Sequence, residues 1–157
     1  PIHPIAVEEW VPYIQHGFAG ENKSIGEDLI YQLCERVALH PSYIQQYAWL
    51  TLINTRNQVT DESLMQGYED LLEENCSLFT AQTEHLTTYQ ANFLRAIAAG
   101  VHQNLSSAEN RDTYNLGSYS NINRLKKALE DLELIDITPN GIYFADPVLE
   151  AWFKRHF

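Results

Sequence analysis

The amino-acid sequence predicts a mainly α protein: a four-helix bundle over residues 1–84, followed by a winged-helix domain with a small β-hairpin wing over residues 85–157. Three observations carry that prediction. Up to about residue 75, apolar residues recur at i, i+3, i+4 and i+7, interrupted by turn signals. The last third offers a short capped helix, a longer amphipathic one, two brief apolar runs around Pro139-Asn140-Gly141, and an aromatic helix opened by Asp146-Pro147. Finally, 157 residues with 45% hydrophobic content can bury either one ordinary core or two small ones. Loss of periodicity over 73–86 favours two, with the boundary there.

Val7, Trp10, Val11, Ile14 and Phe18 share one helix face. Pro12 lacks a backbone N–H, so this helix is expected to start near Glu9 or to kink. Residues 17–24 read as a loop, and Leu29, Ile30, Leu33 and Val37 mark a second helix reaching about Leu39. His40-Pro41 is an abrupt corner: proline disfavours a helical His40 but suits the first position of a new helix. That helix, to about Asn54, is apolar nearly all round and is expected at the centre of its bundle. Thr60 reads as the cap of a fourth helix, whose Leu64, Tyr68, Leu71 and Leu72 face the core.

Thr87-x-x-Gln90 matches a capping box, with Phe93, Leu94 and Ile97 on one face and Gly100 closing the helix. Ser106-x-x-Glu109 repeats the signature for a short helix. Ile122, Leu125, Ala128, Leu129 and Leu132 then form the stripe of a longer one. Strands are expected over 134–138 and 142–145, and Leu149, Trp152, Phe153 and Phe157 supply the apolar face of the last helix.

The net charge of −11 is uneven: residues 1–84 hold 3 basic and 13 acidic side chains, residues 85–157 hold 7 and 8. Such a balance excludes a general nucleic-acid binder, which needs clustered Lys and Arg against phosphates. No apolar run is long enough to span a bilayer, so no membrane partner is expected. Cys34 and Cys76 lie in apolar helical patterns and read as reduced thiols of a cytoplasmic protein. A start at Pro1 without methionine suggests a piece of a longer chain.

Three local patterns resemble the C-terminal half of archaeal-type AAA+ ATPases, close to STAND NTPases. His40-Pro41-Ser42-Tyr43-Ile44-Gln45-Gln46 resembles the Gly-x-Pro segment that opens a lid helix in that family. Leu116-Gly117-Ser118 with Asn121 through Leu129 resembles the helix before the wing, and Tyr143-Phe144-x-Asp146-Pro147 with Trp152 resembles the closing aromatic motif. Leu39 stands where that pattern has glycine, and Ser42 where an aromatic is common. The resemblance implies a helical, lid-like subdomain followed by a winged helix, with His40, Pro41 and Tyr43 facing nucleotide.

These residues contain no Gly-x-x-x-x-Gly-Lys-Ser/Thr loop and no apolar strand ending in paired acids. The chain alone is therefore not expected to hydrolyse ATP, and it holds no cofactor of its own; ATP and magnesium belong to the implied parent protein. No catalytic residue is identified. The six histidines are scattered singly, and Cys34 with His40 or Cys76 with His85 lacks zinc-ligand spacing, so no metal site is expected.

For DNA or a protein partner, the long winged-domain helix offers Asn121, Asn123, Arg124 and Lys127 outward, with Lys126 to one flank. Glu130, Asp131, Glu133 and Asp136 follow at once, and Thr138 to Gly141 carry no cation. The expected function is a regulatory fragment of a larger P-loop ATPase, coupling nucleotide state to a protein or DNA partner. Its partners would be the P-loop core domain and an unidentified protein, with DNA less favoured. The alternative is a free-standing winged-helix DNA-binding regulator with an acidic helical dimerisation domain.

Overall fold

The computed structural model describes residues 5–157. The chain is mainly helical and divides into two compact units, Pro1–Cys76 and Ser77–Phe157. The sequence-based division at 84/85 falls just past the end of the helix that carries the chain from one unit to the next.

In the first unit, α1 spans Val7–Gly20, α2 Glu27–Arg36 and α3 Pro41–Ile53; α4, Asp61–Thr83, begins there. Helix α1 runs through Pro12, its sixth residue, rather than starting after it. Pro12 and Glu8, whose carbonyl loses its helical donor, are both exposed, so the missing bond falls on the solvent side of the helix rather than in the core. Trp10, Ile14 and Phe18 are buried as their spacing predicts. Helix α2 stops at Arg36, three residues short of expectation, because Ala38 and Leu39 are left-handed with φ of 50° and 60°.

Helix α3 buries Tyr43, Ile44, Tyr47, Leu50, Thr51 and Leu52. It is not central all round, however: Trp49 and Ile53 stay 59% and 54% exposed. The Tyr47 hydroxyl donates to the Leu64 carbonyl (2.9 Å) and accepts from Arg36 (3.0 Å), which ties α2, α3 and α4 together. Gly67 on α4 allows a close approach to α3, since a Cβ there would lie 2.9 Å from the Thr51 backbone nitrogen.

Thr60 caps α4 reciprocally with Ser63, each side chain accepting from the other's backbone N–H (3.1 and 2.9 Å). The break in periodicity over 73–86 does not end this helix. Phe79 and Thr83 are buried four residues apart and continue the stripe of Leu71 and Leu72. The polar residues between them occupy the solvent side, which masks the period in the sequence.

The second unit contains α5 (Thr88–Ala98), α6 (Ala108–Tyr114), α7 (Tyr119–Asp131), β1 (Ile135–Thr138), β2 (Gly141–Phe144) and α8 (Pro147–His156). The Thr87–Gln90 capping box is present in both directions. The cap of α6 is Ser107, accepting from the Asn110 N–H (3.2 Å), rather than Ser106 with Glu109. Strands β1 and β2 form an antiparallel hairpin with Ile135 opposite Phe144 and Thr138 opposite Gly141. On the other side of β2, the Ile142 N–H donates to the His102 carbonyl (2.9 Å), so the chain after α5 adds a third, single-residue pairing.

Asp146 caps α8 by accepting from the Val148 and Leu149 N–H groups (2.9 and 3.0 Å), ahead of the first-turn Pro147. The core joins Phe93, Leu94 and Ile97 of α5, Ile122 and Leu129 of α7, and Val148 and Phe153 of α8. Phe79 lies 5.8 Å from the Trp152 ring, and Phe144 5.5 Å from Phe153.

Candidate functional site

The first candidate is the corner between α2 and α3. Helix α2 closes when the Leu39 N–H donates back to the Cys34 carbonyl (2.9 Å) and the His40 N–H to that of Val37 (3.0 Å). Two successive left-handed residues without glycine are needed for this turn, and each is strained by contact between Cβ and the following carbonyl. His40 is then extended (φ −71°, ψ 114°), as a residue before proline must be, and Pro41 opens α3.

His40 and Pro41 lie exposed at this corner. Tyr43 does not: it is only 8% exposed, with its ring 4.8 Å from the His40 imidazole. The Ser42 hydroxyl sits 3.1 Å from His40 Nδ1. The three residues are thus brought together, with two offered to solvent and Tyr43 supporting them from below. Leu39, at φ 60°, occupies the backbone conformation that suits the glycine of the resembled pattern.

The second candidate is the outward face of α7. Asn123, Arg124 and Lys127 are exposed. Lys127 is engaged by Asp131 one turn later, at 3.3 Å. Asn121 departs from the outward position expected of it: its amide donates to the Leu116 carbonyl (2.9 Å) and packs over Gly117, whose φ is 84°. The tight turn into α7 leaves that carbonyl unpaired by backbone, and Asn121 is within reach. Lys126 turns to the flank and lines a cleft of about 640 Å³ beside the wing, together with Tyr119, Ile137 and Thr138.

Two features of that cleft were not legible in the sequence. Tyr119 is 66% exposed with the Arg111 guanidinium 5.9 Å from its ring centre. His102 stacks on Tyr143 at 4.3 Å, and its Nδ1 lies 2.9 Å from the Ile142 carbonyl. A single-residue pairing leaves no periodic signal, and nothing in the sequence could have announced it.

Among the described residues, no group of three or more His, Cys, Asp or Glu side chains could hold a metal ion. No described helix is long and apolar enough to cross a membrane. Burial pushes the Cys34 thiol up to about 11, so it is a poor nucleophile.

A family model described as a probable winged helix domain matches residues 77–155. The chain belongs to the probable winged helix domain family. That match starts where the second compact unit starts. The whole fold is similar to that of a Walker-type ATPase of Pyrococcus abyssi, with a TM-score of 0.74 and 20% sequence identity over 96% of this chain. The chain spans 42% of the length of that ATPase. No curated protein matches the sequence. A fold like that of this chain thus recurs as part of a protein described as a Walker-type ATPase.

Proposed function

We propose that this chain is the regulatory and interaction part of a P-loop ATPase of the archaeal AAA+ or STAND-like kind. Its helical unit acts as the lid and its winged helix as the module that meets a partner. The supporting observation is that its fold recurs, over nearly its full extent, inside a Walker-type ATPase of which it accounts for 42%. ATP and magnesium would be held by a P-loop core outside these residues. The exposed His40-Pro41 edge faces the nucleotide, and Tyr43 holds that edge in place. Closure of the lid changes what the winged helix presents, and the chain alone performs no hydrolysis.

The test uses the protein encoded by the entire reading frame around these codons. It should contain a phosphate loop and hydrolyse ATP, whereas the 157 residues alone should not. Pro41→Ala should weaken nucleotide binding about tenfold, or ~1.4 kcal/mol, without loss of helix content by circular dichroism. A reading frame without a phosphate loop would sink the proposal.

DNA is the second reading, favoured by the exposed Asn123 and Arg124 of α7. It requires the chain to retard duplex DNA with a strong salt dependence that Arg124→Ala and Lys127→Ala weaken. Absence of retardation at low salt removes it. The Lys127–Asp131 pair and the uncharged wing tip favour a protein partner instead.

A further inference from the structure

Between α1 and α3 the first unit carries an open groove of about 410 Å³. Its floor is Ile14, Phe18, Ile44 and Leu52, whose outer sides line the groove while their burial ties them to the core. Its rims hold Tyr13 and Trp49, 62% and 59% exposed. Large aromatic side chains left in water beside an apolar floor are the residue types that anchor protein interfaces.

Charge narrows the occupant. Glu21 lines one end of the groove, and Glu9 lies one helical turn before Tyr13 on α1. At the helical rise the two acids stand about 18 Å apart along the axis. Among the described residues neither is paired with a cation. Lys23 sets one cation near that end, its ammonium donating to the Leu52 carbonyl (2.9 Å) and keeping its charge, so the acidity belongs to the unit as a whole rather than to Glu21 alone. Residues 1–84 contain only 3 cations against 13 acids.

We propose that this groove docks one cationic amphipathic helix of a partner protein. Apolar side chains of that helix seat between Tyr13 and Trp49, and its Lys or Arg side chains meet Glu9 and Glu21. A helix of about twelve residues spans the two acids at 1.5 Å per residue, the reach of helix-in-groove recognition. A second copy of this chain fits badly, because it would bring the same acids face to face. The inference deepens the partner coupling of the proposed function, and its test uses no nucleotide, so its failure leaves the ATPase reading standing.

The probe is a fluorescein-labelled 18-residue peptide of Leu and Lys, with Leu at i, i+3, i+4 and i+7, titrated with the 157-residue chain and followed by polarisation. One control scrambles the same residues so that no apolar face forms; another replaces every Lys by Glu. Saturable 1:1 binding of the patterned Lys peptide alone is expected. Trp49→Ala and Tyr13→Ala should each weaken it about tenfold. Glu9→Gln with Glu21→Gln should weaken it and flatten its salt dependence. Leu132→Ala, at an exposed position of the second unit, should change nothing. Circular dichroism confirms that each variant is folded. Equal binding of either control, indifference to Trp49→Ala, or sedimentation showing a dimer of the free chain that Trp49→Ala disrupts would overturn the proposal.

Discussion

At Ala38 and Leu39 the backbone takes a conformation that their side chains oppose, with φ of 50° and 60°. A left-handed residue with a Cβ is strained by about 1–2 kcal/mol relative to one without. The cost is tolerated because the turn satisfies backbone groups at the end of α2 and delivers His40 and Pro41 to the surface. Ala38 is exposed, so replacing it removes little packing. Ala38→Gly should therefore raise stability by about 0.5–1 kcal/mol, the relief being offset in part by the greater freedom of glycine in the unfolded chain. Urea unfolding measures this as a higher midpoint at unchanged slope. A lower midpoint would mean that the turn is held by something other than the hydrogen bonds around it. The sequence placed the corner correctly because proline constrains its neighbours locally. It said nothing of the strain, since nothing in Val37-Ala38-Leu39 marks a left-handed pair.

Among the elements, legibility followed the range of the signal. Asp146-Pro147 was readable as a helix start because cap and proline act within three residues, and both act as expected in α8. Asp146→Ala would leave two first-turn N–H groups of α8 without this acceptor, at a cost of about 1 kcal/mol. Thermal unfolding followed by circular dichroism should show the loss, and Asp146→Asn should recover most of it because the amide oxygen can still accept. An equal loss in Asp146→Asn would point to the charge rather than the cap. Helix α4 was harder to read: its far end is recorded only by Phe79 and Thr83, which look isolated among polar residues until Trp152 is seen against Phe79. The shift of the α6 cap from Ser106 to Ser107 has a similar cause. Two adjacent serines offer equal local chemistry, and the path of the chain from Leu105, buried in the core, selects the second.

Across the whole molecule, burial acts on ionisation. The thiol of Cys34 is shifted by desolvation from an ordinary value of 9.0 to about 11, and burial also raises the hydroxyl of Tyr47 despite the Arg36 hydrogen bond. Between pH 9 and 11 the unfolded chain has released its thiol proton while the folded chain still holds it. The folded state then binds more protons, so stability contributed by this group is complete below pH 9 and declines as pH rises towards 11. Urea midpoints at pH 8, 9.5 and 11 should fall in that order, and Cys34→Ala should flatten the fall even though its cavity lowers the whole curve. A slope identical to that of the parent would show that other groups cause the alkaline loss.

What the sequence determined by itself was local: helix periods, proline corners, the Thr87–Gln90 capping box, the Pro139-Asn140-Gly141 turn and the division of charge between the two halves. From these the mainly α, winged-helix architecture followed, because each depends on residues within a few positions of one another. Only the tertiary structure decided the rest. It turned Asn121 inward to the Leu116 carbonyl and brought His102 alongside β2, and it left one flank of α3 uncovered, so that Trp49 faces solvent across a groove from Tyr13. These outcomes depend on which surfaces meet over long sequence separations, and a helix that is apolar nearly all round carries no mark of which side its neighbours will leave open.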